Sequence, residues 1–332
     1  MNELSRSEIR SSLERMGFGR DPISITALGG GVSCDVFAVD FPDKRICVKR
    51  ALPKLRVAAD WRAPPERVQA EVAWLKLVAQ IDPNLVPQVI GEDPVCCAFA
   101  MEFLPPERHA LWKSELATGR VDLEFAAAVG HSLARIHEAT AGNEDVARAF
   151  DNGEQFDALR IDPYFRATAQ RNPDVAETVL EIADKLACSR IALVQGDVSP
   201  KNIFCGPRGP VFLDAETASY CDPAFDLAFC LNHLLLKSVW RRRHSDLFAR
   251  AFAALHAAYF DRAQWESPEG LDARAGRLLA TLLLARIDGK SPVEYLTEDA
   301  ALSFVRGQAK AFLGEASLRP LDIIARWTAA LG

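Results

Sequence analysis

Hydrophobic and polar positions follow a short period near the start of the chain and a longer one through most of the rest. Ile23 to Leu28, Cys34 to Asp40 and Arg45 to Arg50 alternate apolar with polar residues, or run apolar between turn signals, and read as three strands. Gly29-Gly30-Gly31-Val32-Ser33 and Phe41-Pro42-Asp43-Lys44 separate them as turns. Ahead of the strands, Leu4, Ile9, Leu13 and Met16 mark an amphipathic helix within Met1 to Gly17. The period then lengthens. Val68, Val72, Leu75 and Val78 form one face of a helix from Pro65 to Gln80. Pro83 to Pro94 reads as loop, short strand and turn, and a further strand, Val95 to Phe103, is stopped by Pro105-Pro106. Helical patterns dominate from there on, including Val121 to Ala139 and a helix ending near Lys237 that Asp222 caps and Pro223 starts. The pattern predicts an α+β chain of two lobes. Residues 1–103 form a small antiparallel-sheet N-lobe, and residues 104–332 a larger, mainly helical C-lobe.

Two short apolar runs inside the helical part each deliver an acid. Ile191 to Val194 leads into Gln195-Gly196-Asp197, Asn202 follows five residues later, and Val211 to Leu213 ends in Asp214. That is the order of parts a kinase-type phosphoryl transferase uses: an acid to take the proton of the attacking hydroxyl, then an amide and a second acid for Mg²⁺. Asp197 is the expected catalytic residue, and Asn202 and Asp214 the expected metal ligands, with Glu216 a further one. Upstream, alternation puts Cys47 and Lys49 on one face of their strand. In a kinase that face looks onto ATP, with Lys49 on its phosphates and Cys47 lining the adenine pocket. Glu71 is the expected partner of Lys49, whereas Glu66 reads as a first-turn acid favoured by the helix dipole. Gly29, Gly30 and Gly31 let the backbone approach phosphate closely. The segment Met101-Glu102-Phe103-Leu104, just before two prolines, offers its backbone to an adenine edge.

These motifs resemble those of the aminoglycoside phosphotransferase and choline kinase superfamily, which implies a protein-kinase-like fold. The resemblance rests on Gln195-Gly196-Asp197 through Asn202, on Asp214-x-Glu216, and on Tyr220-Cys221-Asp222-Pro223-Ala224-Phe225-Asp226. It spans roughly Leu28 to Leu296. Gln195 stands where the superfamily has His. The N-lobe, with Lys49-Arg50-Ala51-Leu52-Pro53 and Leu85-Val86-Pro87, is most similar to methylthioribose kinases. The resemblance implies that Trp61 belongs to a lid, that Asp226 holds the catalytic-loop backbone from behind, and that His137 is structural. Arg286, Trp61 and Ser199 are the substrate candidates; methylthioribose kinases carry two adjacent arginines where this chain has Ala285-Arg286, so methylthioribose stays an alternative that the resemblance does not favour.

Charge and cysteines add limits. Lys and Arg number 39 against 45 Asp and Glu, a net charge of −6, which gives no basic footprint for nucleic acid. The 8 cysteines show no C-x-x-C pair and read as reduced thiols of a cytoplasmic protein. No apolar stretch is long enough for a membrane span, and the N-terminus does not read as a signal peptide. Residues 142–187 are rich in acids, a solvated face or an attraction for a cationic substrate. Trp240-Arg241-Arg242-Arg243-His244 reads as charge at a helix C-terminus. The expected activity is ATP- and Mg²⁺-dependent phosphorylation of a small polyol or sugar-like alcohol. An aminoglycoside acceptor is the alternative within the class. A nucleotide-binding pseudokinase scaffold, suggested by Gln195, is the alternative outside it. Oligomeric state is open.

Overall fold

The structure is a computed structural model describing residues 3–19, 21–29, 33–54, 64–315 and 317–332. Its N-terminal part contains, in order, α1 (Glu3–Arg15), β1 (Ser24–Leu28), β2 (Cys34–Asp40), β3 (Arg45–Ala51), α2 (Val68–Ile81), β4 (Val89–Asp93) and β5 (Ala98–Glu102). The five strands make one antiparallel sheet in the order β1-β2-β3-β5-β4. Alternation along β3 sorts its side chains as expected. Ile46 and Val48 join Phe37, Val39, Ala100 and the Ile9 and Leu13 side chains of α1 in a small core. Cys47 and Ala51 face the other way, into the main core with Val68, Val72 and Leu75 of α2. β5 is shorter than the expected strand from Val95 to Phe103. Pro94 opens a 3₁₀ turn through Cys96, and Cys97 takes a left-handed conformation (φ 48°), so pairing starts only at Ala98.

The rest is helical, apart from short strands. β6 (Ala110–Leu111) leads into α3 (Trp112–Ala117) and α4 (Leu123–Thr140). Later come β7 (Ala192–Val194), β8 (Ile203–Gly206), β9 (Gly209–Phe212) and β10 (Ser219–Cys221). β6, β8 and β9 pair in that order, and β7 pairs with β10, so both short sheets frame the segment carrying Asp197, Asn202 and Asp214. Behind them lie helices Ala224–Trp240, Ser245–Phe260 and Pro268–Asp288. The Ala224–Trp240 helix is buried all round from Ala224 to Ser238, as its nearly unbroken apolar sequence requires. α4 packs tightly on Ser245–Phe260 at Gly130, where a Cβ would lie 2.1 Å from the Leu255 carbonyl oxygen. No helix among the described residues is long and apolar enough to cross a membrane.

Candidate active site

Lys49 projects from the middle of β3 and is almost fully buried. Its ammonium lies 2.7–2.9 Å from the Glu71 carboxylate on α2 and 2.5 Å from Asp214 across the cleft. Burial works against this ammonium, but Asp214 and Glu71 outweigh it and hold the Lys49 pKa well above the ordinary range. Asp214 shows the converse. Burial would raise its pKa, yet Lys49 and Lys201 bring it down to about 2. For Glu71 burial prevails over Lys49 and pushes its pKa up to about 7. Asp214 sits at φ 63°, a left-handed conformation that Asp tolerates better than most residues and that carries the chain sharply out of β9.

The loop after β7 is fastened from both sides. Asp226, near the start of its helix, accepts the backbone N–H of Gln195 at 2.6 Å and of Gly196 at 2.8 Å. Behind it, His137 lies 3.4 Å from Asp226 and 2.8 Å from the Tyr259 hydroxyl, wholly buried, so this histidine is part of the core. The Gln195 side chain works in both senses: its amide N–H donates to the Leu213 carbonyl at 2.7 Å, and its oxygen accepts the Asp197 N–H at 2.6 Å. Gly196 has φ +80°, and a Cβ there would meet Thr217 Oγ1 at 2.5 Å, so only glycine fits. Asn202 donates through Nδ2 to the Asp197 carbonyl at 3.0 Å. The Asp197 carboxylate touches two cations, Lys201 at 3.0 Å and Arg160 at 3.2 Å.

Other expected site residues fall in differing surroundings. Glu216 pairs with the buried Arg67 at 2.9 Å and accepts from Cys34 Sγ at 3.7 Å, which ties one of its oxygens to the N-terminal part. Ser199 is fully buried, and its hydroxyl has no hydrogen-bond partner among the described residues. Arg286 is not on the catalytic loop. It donates to Ser291 and, at 3.3 Å, to the Tyr164 hydroxyl. Cys47 is buried on the Lys49 face, opposite Met101, and burial pushes its thiol pKa up to about 12. The Glu102 amide is taken by the Gln88 carbonyl at 2.8 Å, so within the segment Met101 to Leu104 this N–H is not free for a ligand. Gly29 is exposed at the end of β1. Gly30, Gly31 and Trp61 lie outside the described residues.

Two buried cations escaped the sequence reading. Arg67 was legible only as a neighbour of Glu71 one helical turn away. Arg160 lies in the acid-rich stretch, on a π-helical segment, Asp157–Arg166, whose wider turn contains Pro163. Its guanidinium also donates to the Gly196 carbonyl, so it holds both the backbone of the loop after β7 and Asp197. The one available signal was a Pro and several large apolar residues inside a nominally solvated run.

A model of the phosphotransferase enzyme family matches residues 24–301. A methylthioribose kinase of Pectobacterium carotovorum is 28% identical over 218 residues, covering 58% of this chain and 54% of that protein. One from Bacillus cereus is 25% identical over 245 residues, covering 64% and 61%. The chain thus spans little more than half the length of these relatives. A choline/ethanolamine kinase family protein from Mesorhizobium loti shares the fold with a TM-score of 0.57 at 15% identity, covering 98% of both chains. The family match takes in most of the chain, including the segments that carry Lys49, Glu71, Asp197, Asn202 and Asp214: this chain belongs to the phosphotransferase enzyme family.

Proposed function

We propose that the chain transfers the γ-phosphoryl group of ATP to a hydroxyl of a small, sugar-like or polyol molecule. The observation that carries this reading is the Lys49 ammonium held between Glu71 and Asp214, with Asp197 and Asn202 on the adjoining loop. In the reaction an oxygen–phosphorus bond forms to the substrate hydroxyl oxygen, and the bond to the ADP oxygen breaks. Asp197 takes the hydroxyl proton, and Lys201 and Arg160 keep its carboxylate oriented. Lys49, fixed by Glu71, steadies the ATP phosphates. With the Glu102 N–H taken, Phe103 and Leu104 offer an N–H to adenine.

The donors on this loop suit Mg²⁺, which takes hard oxygen ligands, few of them from protein. With its Nδ2 used by the Asp197 carbonyl, Asn202 has its side-chain oxygen to give, alongside the Asp214 carboxylate. Among the described residues no group of three or more His, Cys, Asp or Glu could hold a metal ion. Such an ion neutralises charge on the transferring phosphoryl group.

Gln195 supports an active enzyme over a scaffold, because it braces the loop by donating and accepting. The relatives' names favour a sugar acceptor over a polycation. Four of the eight cysteines are buried free thiols, which fits a reducing, cytoplasmic setting. The test is ADP release from Mg·ATP by the purified chain over a panel of small alcohols, sugars and aminoglycosides. Stimulation by a hydroxyl compound, with phosphate recovered on that compound, is expected. Tight Mg·ATP binding with no transfer to any acceptor would favour the scaffold.

A further inference from the structure

The Ala224–Trp240 helix carries His233 and Lys237 in its last turns, with Arg241 just beyond. Spaced four residues apart, they share one face. Lys237 is 1% exposed, and its ammonium has no hydrogen-bond acceptor among the described residues. It lies 4.3 Å from the centre of the Tyr295 ring and 5.3 Å from that of Trp240. His233 Nε2, Arg241 Nε, Arg286 Nε and the Tyr295 hydroxyl are likewise buried and without partners there. Buried polar atoms are nearly always satisfied, and an unpaired buried charge is costly. Several together, nearly all of them donors, call for an acceptor that the protein itself does not supply.

This cluster continues into the active site. The Tyr164 ring lies 5.8 Å from the Arg286 guanidinium and 5.7 Å from that of Arg160, which in turn contacts Asp197. The carboxylate facing Lys237 is Glu294, an exposed side chain already paired with Lys113. Ionisation reports the same excess of positive charge. Burial, then Arg286 and Lys237, hold His233 well below its ordinary pKa. Burial opposes ionisation of Tyr164, yet Arg286 and Arg160 draw its pKa down.

We propose that the phosphate acceptor is an anion: a small alcohol whose carboxylate or phosphate seats between Lys237, His233 and Arg286 while its hydroxyl lies at Asp197. This rests on the kinase reading and narrows its substrate class. A neutral polyol leaves the cluster uncompensated. A cationic substrate is repelled, and the Trp240–Tyr295 pair that could stack on a cationic head already holds the ammonium of Lys237.

The test uses matched acceptors: glycerol, glycerate, glycerol 3-phosphate and 2-amino-1,3-propanediol, with ribose, ribonate and ribose 5-phosphate as a second set. The carboxylate or the phosphate member should exceed its neutral counterpart in kcat/KM by at least about tenfold, and which of the two wins identifies the anionic group. Lys237→Met and Arg286→Met should each raise KM for that anion by about tenfold or more while the KM for ATP stays put. Turnover of the neutral or amino compounds at equal or higher kcat/KM overturns the proposal and leaves the kinase reading standing. If no member is turned over, equilibrium dialysis of radiolabelled glycerate and of inorganic sulfate decides, with Mg²⁺ and a non-hydrolysable ATP analogue saturating. Binding that Lys237→Met abolishes supports the anion site, and no binding, or binding that survives the substitution, overturns it. Failure to bind Mg·ATP at all counts against the kinase reading, and dialysis without nucleotide then judges the anion site alone. Retained ATP-analogue binding shows that each variant is folded.

Discussion

The acid-rich stretch over residues 142–187 and the basic cluster around Lys237 are mirror cases. The acids are on the surface and largely paired: Asp157 with Arg166 at 2.6 Å, Asp162 with Lys290 at 2.6 Å, Asp174 with Lys310 at 2.8 Å and Glu181 with Lys185 at 2.7 Å. Among the bases inside, the Lys237 ammonium, His233 Nε2 and the Nε atoms of Arg241 and Arg286 lack hydrogen-bond partners among the described residues. A net charge of −6 therefore describes the exterior and not the buried surroundings of Lys237. Paired surface charge is screened and contributes little, whereas unpaired buried charge is expensive unless a ligand completes it. The acid-rich run is thus largely a solvated face, one of the two readings its sequence allows.

The strongest way to sharpen the comparison is to neutralise Asp197, the proposed base, which Lys201 and Arg160 contact. Asp197→Asn should lower kcat by about 10²–10⁴-fold, the usual worth of a positioned general base. Calorimetry should find Mg·ATP affinity almost unchanged in Asp197→Asn but much weakened in Asp214→Asn, since Asp214 is the residue that contacts Lys49. Equal loss of ATP binding in both would mean that their roles are misassigned.

A smaller effect follows from the loop that carries the acid. Gly196→Ala forces a Cβ against Thr217 at a positive φ and should cost about 2 kcal/mol or more of stability. Urea unfolding measures it, and a loss below about 0.5 kcal/mol would show that the loop yields easily.

Lys237 then tests whether the unpaired interior is truly costly. Burial, reinforced by Lys113, lowers its pKa from 10.5 to about 8, a penalty of about 3 kcal/mol when the amine is charged in both folded and unfolded states. The penalty is complete below about pH 8. From pH 8 to 10.5 the unfolded chain binds more protons than the folded one, so this contribution to stability rises with pH and the penalty fades. Lys237→Met should therefore be more stable than the parent at pH 7, with the difference shrinking toward pH 10. A destabilised Met variant at pH 7 would mean that the stacking on Tyr295 and Trp240 outweighs the burial cost.

The least effect is expected outside. Asp157→Asn with Asp174→Asn should change stability by less than about 1 kcal/mol and kcat/KM by less than about twofold, at low and high salt alike. A large salt-dependent loss of activity would restore the acid face as a guide for substrate.

Much of the cleft was legible because its signals are local. Asp197 and Asn202 lie five residues apart on one loop, Lys49 is placed by strand alternation, and Glu71 by its place on the helix that follows, beside the apolar Val72 and Ala73. The contacts of Arg160 and Arg67 were hidden because they join residues 36 and 149 apart in sequence. The π-helical turn around Arg160 also breaks the 3.6-residue period on which facing positions are assigned. His233 and Lys237 did leave a trace. They are polar residues in a helix otherwise apolar on every side, and such positions are more informative than the basic run at its end. The short β5 was missed because a single Pro, at position 94, turns the chain before pairing begins.

Asp226 has a consequence for motion. One carboxylate holds the amides of Gln195 and Gly196 and belongs to the same buried knot as His137 and Tyr259, so the reactive loop has no local hinge of its own on that side. Those two amides should exchange with deuterated solvent only as fast as the helical core opens globally, while exposed loops exchange by local fluctuations. On heating, the transfer activity should then fail together with the core and not ahead of it. Thermal inactivation and loss of tertiary structure should trace a single curve.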